Sequence, residues 1–157
     1  GGKLSGGEVV VQNKTKSHLE RKPLFMKARL AHNEVHPGDR VKIQVELHNQ
    51  STMVVRNLKV TLRSHVRNLR TDDKGKSTLK NEKTVVASNE YWQGAVFPLP
   101  AEADYKGHIE FDVPIDLPLT NLQHPGYFER EYDLKVEAVI SMHVNLPVYI
   151  AIIVLEK

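Results

Sequence analysis

The 157-residue chain contains no cysteine. That absence removes disulfides, thiolate nucleophiles and every cysteine-based zinc or iron–sulfur site. A domain that manages without disulfides also fits a reducing compartment. Aromatic residues are scarce, 6% of the chain with a single tryptophan. None is interleaved with the cations, so the stacking platform that single-stranded nucleic acid needs is missing, and nucleic acid is not an expected partner. No long hydrophobic run occurs. The most apolar stretch, Leu146 to Leu155, is about half the ~20 residues of a spanning helix, and no signal peptide is visible. Nor does any segment carry three turns of amphipathic helix.

What is present is alternation. Val41, Ile43, Val45 and Leu47 alternate with Lys42, Gln44, Glu46 and His48, and Leu58, Val60 and Leu62 alternate with Lys59 and Thr61. Successive side chains of a strand point to opposite faces, so each run has one buried and one wet face. Turn residues punctuate the runs, Pro37-Gly38-Asp39 before the first and Asn49-Gln50-Ser51 after it. The pattern predicts strands near 8–12, 24–32, 39–48, 55–67, 84–90, 109–113, 127–141 and 146–155. It predicts a polar linker over 13–22, a polar loop over 67–83 and an irregular segment over 92–105. Eight strands and no helix imply an all-β fold of two packed sheets, an immunoglobulin-like antiparallel β-sandwich. At this length one domain buries roughly 70% of its unfolded surface. The expected division is a flank over 1–19 with a short strand and polar linker, then one sandwich domain over 20–157. The Gly-Gly opening without methionine reads as a domain excised from a longer protein.

Charge is segregated along the chain. From Arg56 to Lys83 nine basic residues face three acidic, a net of +6; from Glu102 to Glu137 nine acidic face three basic, a net of −6. Lys59, Arg63 and Arg67 recur at even spacing, with Arg70 beyond them. A row of cations on one strand face would attract phosphate or an anionic leaflet, each cation contributing about 1 kcal/mol near such a surface. These four are the candidate anion or partner-binding residues.

Other constellations point to no chemistry. His32, Glu34 and His36 lie on a strand end and turn, without the helical spacing of a zinc motif, so no metal is expected. Glu129, Glu131 and Asp133 share a strand face, but nothing indicates the cleft that paired carboxylates need for acid–base work. No serine has a nucleophile-elbow glycine pattern, so neither a catalytic residue nor a cofactor site is expected. Trp92, after Tyr91 and before Gly94, is either an edge-packing residue or a partner anchor. Leu146 to Leu155 reads as apolar on both faces, with Pro147 confining that end to an edge and Tyr149 as a candidate interface residue. Asn13-Lys14-Thr15 and Asn49-Gln50-Ser51 match the glycosylation triplet.

Several of these residues together resemble a known family. Lys22-Pro-Leu-Phe25, the Gly38-Asp39 turn, the strand running into Asn49 and the Asn57-Leu-Lys-Val60 strand are similar to the start of the carboxy-terminal domain of arrestins. Trp92-Gln-Gly94, the proline-rich Val113 to Leu119 segment, Tyr132-Asp-Leu-Lys-Val136 and Leu146-Pro-Val-Tyr-Ile150 follow in the order of the α-arrestin branch, the arrestin-domain-containing proteins. The resemblance covers residues 20–155. It implies a cytosolic, non-enzymatic adaptor half that binds membrane cargo or receptors and is recruited to the plasma membrane or endosomes. It also implies recruitment of ubiquitin ligases through Pro-Pro-x-Tyr motifs, which this sequence does not contain. Two further readings compete. One is a structural subunit of a retromer-like sorting or coat complex, with Leu146 to Leu155 in a stable interface. The other is an extracellular adhesion sandwich, which requires glycosylation at Asn13 or Asn49.

Overall fold

The computed structural model describes residues 6–15, 22–124 and 128–157, and among these there are ten strands and no helix. The strands β1 (Val9–Lys14), β2 (Leu24–Leu30), β4 (Arg40–Asn49) and β7 (Asp104–Asp112) form a four-stranded sheet in the order β1-β2-β4-β7. The second sheet runs β3 (Glu34–Val35), β10 (Leu146–Val154), β9 (Phe128–Ile140), β5 (Val55–Thr71), β6 (Ser77–Tyr91), with β8 (Asn121–His124) paired to the start of β9. All pairings are antiparallel except the short one between β3 and β10.

Period-two hydrophobicity places the core. In β4 every second residue from Val41 is buried, and in β10 Leu146, Val148, Ile150, Ile152 and Val154 are buried while Tyr149 and Ala151 are exposed. Phe111 of β7 and Leu62 of β5 are among the large side chains almost wholly removed from water, in one cluster shared by both sheets. Burying each such side chain contributes about 1.5–3 kcal/mol.

Polar side chains close the two open sides of the sandwich. On one, the Tyr91 hydroxyl donates to the Glu110 carbonyl at 2.6 Å, and Gln93 Nε2 donates to the His108 carbonyl at 2.8 Å. The contact ties the end of β6 to the edge strand β7. On the other, Asn13 Nδ2 donates to the Pro147 carbonyl at 2.8 Å, joining β1 to β10.

The all-β sandwich is the expected fold, but several local expectations change. The polar run 67–83 is mostly strand. β5 and β6 continue to a tight turn in which Asp72 Oδ1 accepts the N–H groups of Lys74 and Lys76 and Gly75 takes a positive φ. The run reads as loop because β6 is exposed on both faces along almost its whole length, so no hydrophobic period marks it. Residues 13 and 14, expected in the linker, end β1; residues 16–21 of that linker and Tyr127 lie outside the described residues. The flank strand thus forms the edge of the four-stranded sheet. Asp104 and Tyr105 start β7, and β3 and β8 were too short to register as periodic runs. Asn49 is buried: its Nδ2 donates to the Met53 and Pro100 carbonyls and its Oδ1 accepts from Ser51, so the folded chain offers no amide there for a glycan. The outer side of β10 is not apolar throughout, because Tyr149 sits among cations.

Candidate functional site

Strand parity decides which of the four β5 cations share a face. Leu58, Val60 and Leu62 point inward, so Lys59, Arg63 and Arg67 stand on the outer side. Arg70 falls on the opposite side of the strand. The β5–β9 register then places Lys59 beside Glu137, Arg63 beside Asp133, His65 beside Glu131 and Arg67 beside Glu129. The basic and acidic segments of the sequence are therefore neighbours in space. Opposite charges at facing cross-strand positions attract.

Arg63 is the most strongly held. Its Nε and Nη2 donate to Asp133 Oδ1 and Oδ2 at 2.8 and 2.6 Å, with the two side chains only 21% and 28% exposed. A fork-to-fork pair of this kind fixes direction as well as charge. The guanidinium is held above its ordinary pKa, chiefly by the hydrogen bond to Asp133, with burial pulling the other way. Its carbon also lies 4.8 Å from the centroid of the Tyr149 ring, and Lys135 Nζ lies 6.0 Å from the same ring. Both are within reach of a cation–π attraction. Arg67 meets Glu129 at 3.4 Å and Lys135 meets Glu137 at 3.4 Å. Among the described residues, Lys59 and Arg70 make no ion pair. The outer side of this sheet is a lattice of alternating charge rather than a row of cations.

Trp92 follows β6 directly and remains 46% exposed, whereas Tyr149 belongs to β10. β5 and β9 lie between those strands, so the two aromatic candidates are not brought together. Of the histidine group, His36 donates from Nδ1 to the Leu155 carbonyl at 2.9 Å, and its backbone N–H donates to Asp39 Oδ2. Among the described residues, no three His, Asp or Glu side chains converge as metal ligands would.

The outer side of the four-stranded sheet holds what sequence reasoning missed. Lys27 and Arg29 of β2, Lys42 of β4 and Lys106 of β7 line a shallow basin of about 330 Å³. They are widely separated in sequence, and only the β2–β4–β7 register gathers them. The parity of each strand predicted that they face outward; their adjacency could not be read without the pairing.

One comparison with known proteins is informative. The family model described as arrestin (or S-antigen), C-terminal domain, matches residues 20–156. No curated protein matches the chain. No helix among the described residues is long and apolar enough to cross a membrane. A match over this span, on a helix-free antiparallel sandwich, places the chain in the arrestin family as a carboxy-terminal domain, a protein-interaction module of trafficking or signalling.

Proposed function

We propose that residues 20–157 are the partner-binding half of an α-arrestin-type adaptor, which brings membrane proteins to trafficking machinery and catalyses no reaction itself. The observation that carries this reading is the β5–β6 hairpin. Pairing with β9 ends at Asn68, and the last residues of β5 and the first of β6 continue as a two-stranded arm. β6 is the last strand of its sheet, so one of its backbone edges has no strand beside it. An extended peptide joins such an edge by adding a strand, with main-chain hydrogen bonds for affinity and side chains for choice. Exposed Arg70, Lys74, Lys76 and Lys83 make no ion pair among the described residues and favour an acidic or phosphorylated segment of a membrane-protein tail. The same lysines guard a bare edge against self-pairing, which is their role until a partner arrives.

Within this proposal the four β5 cations differ. Lys59 and Arg70 are available to an anion, whereas Arg63 and Arg67 would first have to leave Asp133 and Glu129. Trp92, at the foot of the arm, is the aromatic anchor. Ubiquitin ligase recruitment would run through a Pro-Pro-x-Tyr tail outside this sequence, and the adaptor would act in the cytoplasm, recruited to plasma membrane or endosomes. The retromer-like reading leaned on an apolar outer side of β10. Arg63 and Lys135 gather around Tyr149 on that side, which favours the adaptor.

A peptide array of cytoplasmic tails from membrane proteins, probed with the 157-residue protein, tests this. Binding to acidic or phosphorylated tails, lost when Lys76 and Lys83 are changed to Glu, is the expected result. Binding that survives the double change, or no binding to any tail, contradicts the proposal.

A further inference from the structure

Uncompensated positive charge is concentrated on the sheet that the arm does not belong to. On the outer side of β2-β4-β7, the register sets Arg29 beside Gln44 and His108, and Lys27 beside Glu46 and Lys106. Lys42 lies one step further along β4, beside Glu110. The basin holds four cations against one carboxylate, Glu46, which is taken by Lys106 at 3.3 Å. Among the described residues Lys27, Arg29 and Lys42 make no ion pair, because the nearest other carboxylate, Glu110, already serves Arg40 at 3.6 Å. Gln44 and His108 add neutral hydrogen-bonding groups to the same lining. Like charges set side by side on a sheet repel, so this arrangement does not stabilise the fold. A bound polyanion would relieve it.

The dimensions restrict what that anion is. Neighbouring strands lie about 4.8 Å apart and alternate residues about 7 Å apart along a strand, so the cations spring from a field of roughly 10 Å on each side. Both ends of the field are shut by acidic groups. Asp112 binds Arg40 at 2.9 Å beyond Lys42, and Asp104 meets His48 at 3.3 Å beyond Lys106. An extended acidic peptide crossing the basin would run into those carboxylates. The central strand β4 also has partners on both edges, so strand addition cannot occur here. A single phosphate would engage only part of the set.

We infer that the Lys27–Arg29–Lys42–Lys106 basin is a binding site for a compact anion carrying several clustered phosphate groups. The shared chemistry is that of a small ring or chain bearing phosphate monoesters, whether free in solution or displayed as a lipid headgroup. This site is independent of the peptide proposed for the arm.

Calorimetric titration of the 157-residue protein with inositol trisphosphate tests it, alongside co-sedimentation with phosphatidylcholine vesicles containing phosphatidylinositol bisphosphate. The expected result is saturable binding to at least one probe, weakened at least about tenfold in Lys27→Gln/Lys42→Gln, since each lost charge-assisted contact is worth a factor of that order. Arm variant Lys76→Gln/Lys83→Gln should bind as the parent does. Binding of the soluble probe alone identifies a free ligand, and binding to vesicles with only feeble soluble binding identifies a membrane headgroup. No binding to either probe overturns the inference, as does affinity unchanged in the basin variant. Exposed Lys→Gln changes leave folding nearly untouched, which a circular dichroism spectrum verifies.

Discussion

The two outer sides of the sandwich handle charge in opposite ways. On the β10-β9-β5 side each outward arginine has a carboxylate across the ladder, Arg63 with Asp133 and Arg67 with Glu129. On the β2-β4-β7 side three cations have none, and the carboxylates sit at the ends of the field. The first side spends its charge on holding strands in register. The second leaves it for a ligand. Clustering along the sequence is therefore a poor guide to surface potential in an antiparallel sheet, since the strand beside a basic run decides what remains of its charge.

Substitutions can break that contrast at several strengths. The largest effect belongs to the core that both sheets share. Phe111→Ala should cost about 4 kcal/mol and unfold both sheets in one transition, followed by urea denaturation with fluorescence and circular dichroism in parallel. Two separated transitions would mean the sheets do not depend on one another. Next comes the pair that neutralises the β5 side. Asp133→Ala should cost about 2 kcal/mol and leave Arg63 free, so that this side gains affinity for tripolyphosphate that the parent lacks there. If stability were unchanged, the pair would be ornamental.

A smaller effect is expected from the tyrosines. Burial pushes the Tyr132 and Tyr91 hydroxyls above their ordinary pKa near 10. A group whose pKa is raised in the fold supports stability below its unfolded pKa, and that support is lost as pH rises through the folded value. Stability should therefore fall above about pH 10, and Tyr132→Phe should make that fall shallower. The same change gives up the hydrogen bond to the Pro118 carbonyl, about 1 kcal/mol at neutral pH. An unaltered alkaline limb in Tyr132→Phe would remove Tyr132 from the account. Smallest is Arg67→Gln. Arg67 is about half exposed and its pair with Glu129 is long, so the cost should stay under about 0.5 kcal/mol. A loss similar to that of Asp133→Ala would erase the distinction between the two pairs.

The legibility of this chain follows the same physics. β4, β9 and β10 were plain in the sequence because one side is core and the other is water. β6 was cut short because both its sides are wet, and period-two patterning fails wherever no core lies beneath. β3 pairs over two residues, too few for any pattern. The four β5 cations were visible, but their neutralisation was not, since it depends on β9 lying alongside some seventy residues later in the chain. The basin was invisible for the converse reason: Lys27, Lys42 and Lys106 are unremarkable until three strands set them side by side.

The contrast between the two sides is tested most directly by amide chemical-shift mapping of the parent protein during titration with tripolyphosphate. Shifts centred on Lys27, Arg29, Lys42 and Lys106, with Arg63 and Arg67 unmoved, are the predicted result. Shifts centred on β5 and β9, leaving the β2-β4-β7 side silent, would contradict it.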